Sequence, residues 1–319
     1  MKNDRFLIKV VELYYQDGLS QEKIAKKLNT SRTTISRTLI KARKEGYVQI
    51  HINYPDQSDL KLEKQIEQKF DLKEALIAVP GCDQTAEQAV SFQAADYIIR
   101  VLKKNMTFGL TWGRAMFHFV EQLAKDSRIK SLSFQNVKVV PFLGTPSGGS
   151  SEYRYAMTYS NTLSTEVGGI LGCISYNLSA PMSVEDENVK QMIESIGEIS
   201  NVLKIAEQAD VAVFGIGSLG PDSSILKADI RTEEEYRELK NRGGVGEIVG
   251  RIYDAQGKTV DQDMKKKMIG ISLESMRQIP IRVGIAYGKD KTDAIRGALR
   301  GKIINVLITD AATAEAILV

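Results

Sequence analysis

Residues 20–46 read SQEKIAKKLNTSRTTISRTLIKARKEG, and this stretch decides how the rest of the chain is read. Ser20 suits a helix N-cap, with Lys23 and not an acid at the third helical position. A short helix follows from Gln21 to Leu28, with Ile24, Ala25 and Leu28 on one face. Asn29 falls where a helix end wants a left-handed residue, a conformation that Asn tolerates. Ser31 caps another helix, Arg32 to about Lys44, which turns Ile35, Leu39 and Ala42 inward and Arg32, Thr33, Ser36 and Arg37 outward. Gly46 stops it. Two helices joined by a tight turn, with small Ala25 where they cross, have the geometry of a helix-turn-helix.

Working outward, Arg5 to Tyr15 reads as a preceding helix with Leu7, Ile8, Val11 and Tyr15 as its apolar stripe, ended by Asp17-Gly18. After it all, Tyr47 to Asn53 alternates Val48, Ile50 and Ile52 as a strand-like wing. Residues 1–55 carry eleven Lys and Arg against five Asp and Glu, a net of +6, while the whole chain carries +3. A small basic segment on a mildly acidic body is the pattern of a polyanion-binding module. The candidate DNA-facing residues are Ser20, Gln21, Ser31, Arg32, Thr33, Thr34, Ser36, Arg37 and Lys41. Arginine can bond guanine bidentately, and Ser or Thr serves a base or a phosphate. Lys23, Lys26, Lys27, Arg43 and Lys44 suit phosphates, which fix register without reading sequence. A helical hairpin with a merely basic surface is the competing reading.

Composition closes several other routes. Hydrophobic residues make up 43% and charged residues 26% of the 319, ordinary for a globular chain. No signal peptide is legible, and no apolar run approaches the roughly 20 residues that span a bilayer, so no membrane partner is expected. Cys82 and Cys173 lie far apart, which argues against a disulfide framework and for a cytoplasmic setting. With His51 and His118 they form no metal-ligand spacing, so neither metal nor cofactor is expected.

Tyr54 to Asp59 is a polar break containing Pro55, which divides the chain into a DNA-binding domain at 1–55 and an effector-binding and oligomerisation domain at 56–319. Ser58 can cap a helix from Asp59 to Phe70, whose Leu62, Ile66 and Phe70 face the body or a second subunit. Apolar runs at Ala75–Val79, Phe108–Thr111, Val137–Phe142, Val211–Phe214, Arg282–Ile285 and Val306–Ile308 read as buried strands. Helical stretches alternate with them at Ala86–Leu102, Arg114–Lys125, Val189–Gln208, Thr292–Leu299 and Ala312–Leu318. That alternation implies an α/β domain with a Rossmann-like parallel sheet covered on both faces. Ligands then sit at the carboxyl ends of the strands.

Three strand ends carry the chemistry. In Gly109-Leu110-Thr111-Trp112-Gly113-Arg114, Gly113 lets a ligand approach the backbone, and the next helix offers free N–H groups beside Thr111 and Arg114, a phosphate-binding arrangement. A tight turn with no ligand would use the same residues. Gly215-Ile216-Gly217-Ser218-Leu219-Gly220 matches the dinucleotide fingerprint, but Pro221, Asp222 and two serines follow where an apolar helix is needed, so a ligand-facing loop is the reading adopted. In Tyr287-Gly288-Lys289-Asp290-Lys291, a lysine at a helix start can hold a phosphate as a point charge, or be solvated. Pro146 to Ser151 is a loop whose serines could bond hydroxyls. Arg242 to Glu247 leads into Ile248–Asp254 and a hairpin-like turn at Ala255-Gln256-Gly257. Glu247 and Asp254 could accept bonds from ligand hydroxyls, and a turn-stabilising Asp254 fits equally.

With those residues in hand, the chain resembles the SorC family of sugar-sensing transcription regulators, related to the deoxyribonucleoside and central glycolytic gene regulators. The resemblance runs over essentially the whole length. It rests on Ser20–Ala25 with Ser31–Arg37 and Gly46-Tyr47-Val48, on Gly109–Gly113, on Val245–Ile248 leading to Tyr253-Asp254, on Lys291 through Leu299, and on Asn305–Asp310. It implies a body of the fold shared with glucosamine-6-phosphate deaminase and ribose-5-phosphate isomerase, a phosphorylated-sugar effector, operator DNA as partner, and a homodimer or homotetramer. The effector residues it points to are Thr111, Trp112, Gly113, Arg114, Gly215, Gly217, Glu247, Asp254 and Lys291. Tyr287-Gly288 stands where many members have Gly-Gly, and Leu143–Pro146 departs from the family's glycine turn. The competing class is a sugar-phosphate isomerase or deaminase. It would need an acid–base pair from Glu247, Asp254 and Asp310, and would leave the basic module unexplained. A constitutive DNA-binding scaffold would leave the glycine-rich strand ends unexplained, so no catalytic residue is assigned.

Overall fold

The structure is a computed structural model that describes residues 4–48, 59–146, 156–221, 223–227 and 230–319. The chain divides into two compact units, 1–55 and 56–319.

The first unit holds α1 (Asp4–Tyr15), α2 (Gln21–Lys27) and α3 (Arg32–Lys44). The caps read from sequence are formed: Ser20 Oγ accepts from Lys23 N at 3.3 Å and Ser31 Oγ from Thr34 N at 3.1 Å. Asn29 adopts φ 51°, which turns the chain between α2 and α3. The core comprises Val10, Leu13, Ile24, Ala25, Ile35 and Leu39. Each large aliphatic side chain buried there contributes about 1.5–3 kcal/mol. The stripe on α1 is Leu7, Val10 and Leu13, one step round from the expected one, and Ile8 and Tyr15 are exposed. So many positions on α1 are apolar that spacing alone does not fix the phase; the contact with α2 and α3 does. The expected wing beyond Val48, the linker up to Ser58 and the loop beyond Pro146 lie outside the described residues.

In the second unit a seven-stranded parallel sheet is built from β1 (Glu74–Ala78), β2 (Thr107–Leu110), β3 (Lys138–Pro141), β4 (Ile174–Ser175), β5 (Val211–Gly215), β9 (Ile281–Ile285) and β10 (Val306–Asp310), in the order β1-β10-β9-β5-β2-β3-β4. Both faces are covered, which is why its strands read as continuous apolar runs. Phe108, Leu110, Val211, Val213, Val283 and Ile285 pack under α5 (Ala86–Val101), α6 (Arg114–Lys125) and the helix Ser160–Leu171. Val140, Phe142, Ala212, Phe214 and Leu307 face the other way, into a layer that includes Ile199, Val202, Ile295, Ala298 and Ile317. Gly109 belongs to that packing: a Cβ there would run into the ring of Phe142.

Helix α4 (Leu60–Phe70) is capped by Asp59, whose carboxylate accepts from Leu62 N at 3.1 Å. Its buried Leu62 and Ile66 join the body's own core. Two of its carboxylates cover the outer edge of β1: Glu67 Oε1 accepts from Ala75 N and Glu63 Oε1 from Ile77 N, both at 2.9 Å. Alternate amides of an edge strand are thereby satisfied by residues four apart on one helix face. The helix expected over Val189–Gln208 is two, Glu187–Ser195 and Gly197–Glu207, because Ile196 is extended at ψ 124°.

A second sheet was not foreseen. β6 (Gly217–Ser218), β7 (Gly244–Ile248) and β8 (Arg251–Asp254) form three antiparallel strands. The β7–β8 turn is Val249-Gly250, both at positive φ (55° and 71°), the signature of a tight hairpin turn. It interrupts what the sequence offered as one run from Ile248 to Asp254.

Candidate functional site

The strand order reverses direction between β2 and β5: the chain proceeds from β2 to β3 and β4 on one side and from β5 to β9 and β10 on the other. Such a reversal parts the loops at the carboxyl ends and leaves a crevice. A cavity of about 310 Å³ lies there. Its walls come from the loops after β2 (Trp112 to Ala115), β5 (Gly215 to Ser218) and β9 (Tyr287, Gly288, Asp290, Lys291), with Glu247 from β7 and Glu87 from the first turn of α5.

The loop after β2 opens α6 without a side-chain cap, because Gly113 is the N-cap and sits at φ 117°. The first intrahelical bond runs from Phe117 N to Gly113 O, so the preceding amides of that turn precede the helical ladder. Gly288, at φ 97°, opens the short 3₁₀ turn Lys289–Lys291 that leads into the helix Thr292–Arg300, and neither start carries a side-chain cap. Asp310 holds this loop, accepting from Gly288 N and from Thr313 N, each at 3.0 Å. Two helix starts, with their partial positive charge, thus border one cavity.

The charges inside are strongly perturbed. Burial pushes the Glu247 carboxyl up to about 7, against the opposing pull of the Gly250 amide and the Trp112 indole, which both donate to it. Burial lowers the Lys291 ammonium, and Arg114 adds to that effect while Asp290, Glu87 and Glu247 oppose it. Lys291 Nζ lies 4.8 Å from the centroid of the Tyr287 ring. Gly217 pairs with Glu247 across β6 and β7, and a Cβ on it would stand 2.9 Å from Glu247 Oε2. Only glycine leaves that carboxylate its present space.

Of the effector residues expected from sequence, Trp112, Gly113, Arg114, Gly215, Gly217, Glu247 and Lys291 are brought together on this cavity. Thr111 and Asp254 are not among its lining residues. Thr111 is buried beside it, its amide bonded to Val213 O and its hydroxyl 3.4 Å from Trp112 O. Asp254 Oδ1 accepts from Gln256 N and Lys258 N at 2.9 Å each, so it holds the turn at 255–257, the alternative that the sequence had left open. The glycine triplet from Gly215 leads into strand β6, not into a helix packed on β5, which removes the context a dinucleotide needs. The sequence reading missed Glu87, Ser218, Ser223, Ser224, Tyr287 and Asp290 as site residues. Glu87 gave no signal, because an acid in the first turn of a helix reads as a complement to the dipole. Among the described residues no cluster of three or more His, Cys, Asp or Glu is placed to hold a metal, and no helix is long and apolar enough to cross a membrane.

On the first unit, Arg32, Thr33 and Arg37 are exposed along the start of α3, with Ser36 half-buried beside them. Ser31 and Thr34 are engaged with each other, their hydroxyls 2.8 Å apart. Ser20 is exposed and Gln21 half-buried at the start of α2. Lys41 lies exposed 3.7 Å from Glu45, and Arg43 Nε donates to the Tyr15 hydroxyl at 2.9 Å, which ties α3 to α1.

Comparison with known proteins places both units. Residues 55–319 match the family of sugar-binding domains named Sugar-bind. The sorbitol operon regulator of Klebsiella pneumoniae is 34% identical over 98% of this chain and 98% of its own length. The deoxyribonucleoside regulator of Bacillus subtilis (strain 168) is 31% identical over 97% of this chain and 96% of its own. The crystal structure of the full-length Klebsiella regulator superposes with a TM-score of 0.74 at 34% identity, covering 100% of both chains. These relatives are named regulators and not enzymes.

Proposed function

The chain belongs to the SorC family of sugar-binding transcription regulators, and on that premise we propose that it binds operator DNA with an affinity set by a phosphorylated sugar in the cavity of its second unit. The observation that carries the reading is the convergence of three strand-end loops, far apart in sequence, on one cavity with two cations and two helix starts. The phosphate lies at the start of α6 with Gly113, Arg114 and Lys291, where backbone N–H groups and the helix field favour an anion. Trp112 and Glu247, backed by Gly217, face the sugar hydroxyls, and Gly215 leaves room for the ligand beside Ala115. Thr111 shapes the strand end without touching the ligand. The body is of the glucosamine-6-phosphate deaminase and ribose-5-phosphate isomerase type.

In the first unit, α2 and α3 form the helix-turn-helix. Arg32, Thr33, Ser36 and Arg37 meet base edges in the major groove; Ser20, Gln21 and Lys41 meet phosphates; Ser31 and Thr34 fix the helix that presents them. A single short helix reads only a few base pairs, so a homodimer or homotetramer acts on paired half-sites. The effector regulates only if it binds the two DNA-binding states unequally; a coupling of roughly 1–3 kcal/mol changes operator affinity about 5–150-fold.

Operator titration with and without hexitol, ketohexose and pentose phosphates tests the reading. We expect at least one to change affinity in the wild type and none to do so in Lys291→Ala. An unchanged response in that variant removes Lys291 from the site, and an equal response to the dephosphorylated sugar removes the phosphate from the argument.

A further inference from the structure

One wall of the cavity is formed by two side chains that hold each other. The Tyr287 hydroxyl donates to Glu87 Oε2 at 2.6 Å. The other oxygen of Glu87 lies 3.3 Å from His118 Nε2, and His118 Nδ1 lies 3.0 Å from Glu121 Oε2. Tyr287 is therefore fixed at its hydroxyl by a carboxylate that α6 braces from behind, and at its ring face by the ammonium of Lys291. A phenol tied down in this way does not swing aside for a larger ligand as an unpartnered side chain would.

The charges point the same way. Among the described lining residues, two cations, Arg114 and Lys291, face three carboxyl groups, Glu87, Glu247 and Asp290. One phosphate dianion matches the two cations. A second would be left beside Glu87 and Asp290, where like charges repel at close range in a partly desolvated space. The volume of about 310 Å³ is at the small end of the roughly 300–1,000 Å³ usual for small-molecule sites.

Resting on the reading of this cavity as the effector site, we propose that the Tyr287–Glu87 pair is its selectivity wall, restricting the ligand to a monosaccharide or hexitol with a single phosphate and rejecting bisphosphates. Tyr287 sets the size limit, and Glu87 supplies the repulsion and keeps Tyr287 in place.

The test is thermal unfolding of the full chain with fructose 1-phosphate, fructose 6-phosphate, sorbitol 6-phosphate and ribose 5-phosphate, each against fructose 1,6-bisphosphate, in the wild type, Glu87→Gln and Tyr287→Ala. In the wild type we expect at least one monophosphate to raise the melting temperature, with the bisphosphate bound at least about tenfold more weakly. Both variants should narrow that ratio, Tyr287→Ala the more. Glu87→Gln keeps the shape of the wall and removes its charge, so it carries the test if Tyr287→Ala does not fold. A bisphosphate that binds the wild type as tightly as the monophosphate overturns the proposal, as does a ratio unchanged in the variants. If no sugar phosphate moves the wild-type transition, the effector reading itself fails, and the wall with it.

Discussion

The starts of α3 and α6 use the same backbone feature in opposite ways. At α3, Ser31 closes the helix end by accepting from Thr34 N, and the exposed side chains that follow are those proposed to meet DNA. At α6, Gly113 brings no side chain at all, and the first turn opens on a cavity that also holds Lys291 and Glu247. A surface that meets a large rigid polyanion can seal its backbone and reach out with arginines. A pocket that must enclose a small anion gains by leaving its backbone donors uncovered. The consequence for charge is equally plain. Arg32, Arg37 and Lys41 stay in solvent, whereas Glu247 and Lys291 are withdrawn from water far enough for burial to shift both.

If the two regions are separate machines, damage to one should spare the other. The largest effect is expected from Ile35→Ala, which empties part of the small core of the first unit, at a cost of about 2–5 kcal/mol. Operator binding should collapse while sugar phosphates still stabilise the second unit in calorimetry; loss of both together would dissolve the contrast. Next comes Glu247. Its folded pKa is raised from 4.5 to about 7, so between those values the folded protein holds more protons than the unfolded chain. This carboxyl therefore makes stability fall as pH rises from about 4.5 to about 7, by up to roughly 3 kcal/mol, and adds no slope above that. Denaturant titrations of wild type and Glu247→Gln across that range should differ by this slope, and parallel curves would show that the carboxyl is not withdrawn from water.

Smaller effects sharpen the account of the first unit. Arg37→Ala should cost on the order of 1–3 kcal/mol of operator affinity and relax preference at one base position, whereas Lys26→Ala should weaken all sequences alike and reduce the salt slope by about one. Identical profiles for the two would mean that α3 does not read bases. Ser31→Ala should lower the stability of the first unit by about 1 kcal/mol, the usual cost of losing such a cap, and leave effector affinity as it was. Circular dichroism melting and effector titration on the same sample would show whether that separation holds.

The legibility of the two regions differs for a physical reason. In the first unit every decisive signal is local: caps at Ser20 and Ser31, left-handed Asn29, and buried Ile24, Ile35 and Leu39 lie within one short stretch. Six of the seven strands of the main sheet were legible as apolar runs, within a residue or two at their ends; β4, two residues long and exposed, carried no such run. The cavity was legible only as three separate glycine turns, because periodicity does not say which loops meet. Glu87 joins the site through α5, and Tyr287 becomes a wall only because Glu87 lies 200 positions away in sequence and within hydrogen-bond reach. The small antiparallel sheet escaped because β6 is two residues long and the Val249-Gly250 turn has a β-branched residue at positive φ, where the pattern leads one to expect Asn or Gly.

The grip of Glu63 and Glu67 on β1 sets the valence of the main sheet. A parallel sheet has two rims, and each unprotected rim is a place where another chain can add a strand. Here one rim is occupied by the chain's own carboxylates, and the other ends in β4, two residues long and exposed at Ile174. Growth by strand addition needs two bonding ends per molecule, as a polymer needs bifunctional monomers. With one end blocked, edge pairing can join two copies and then stops, so two glutamates on α4 guard the sheet against open-ended growth into fibres.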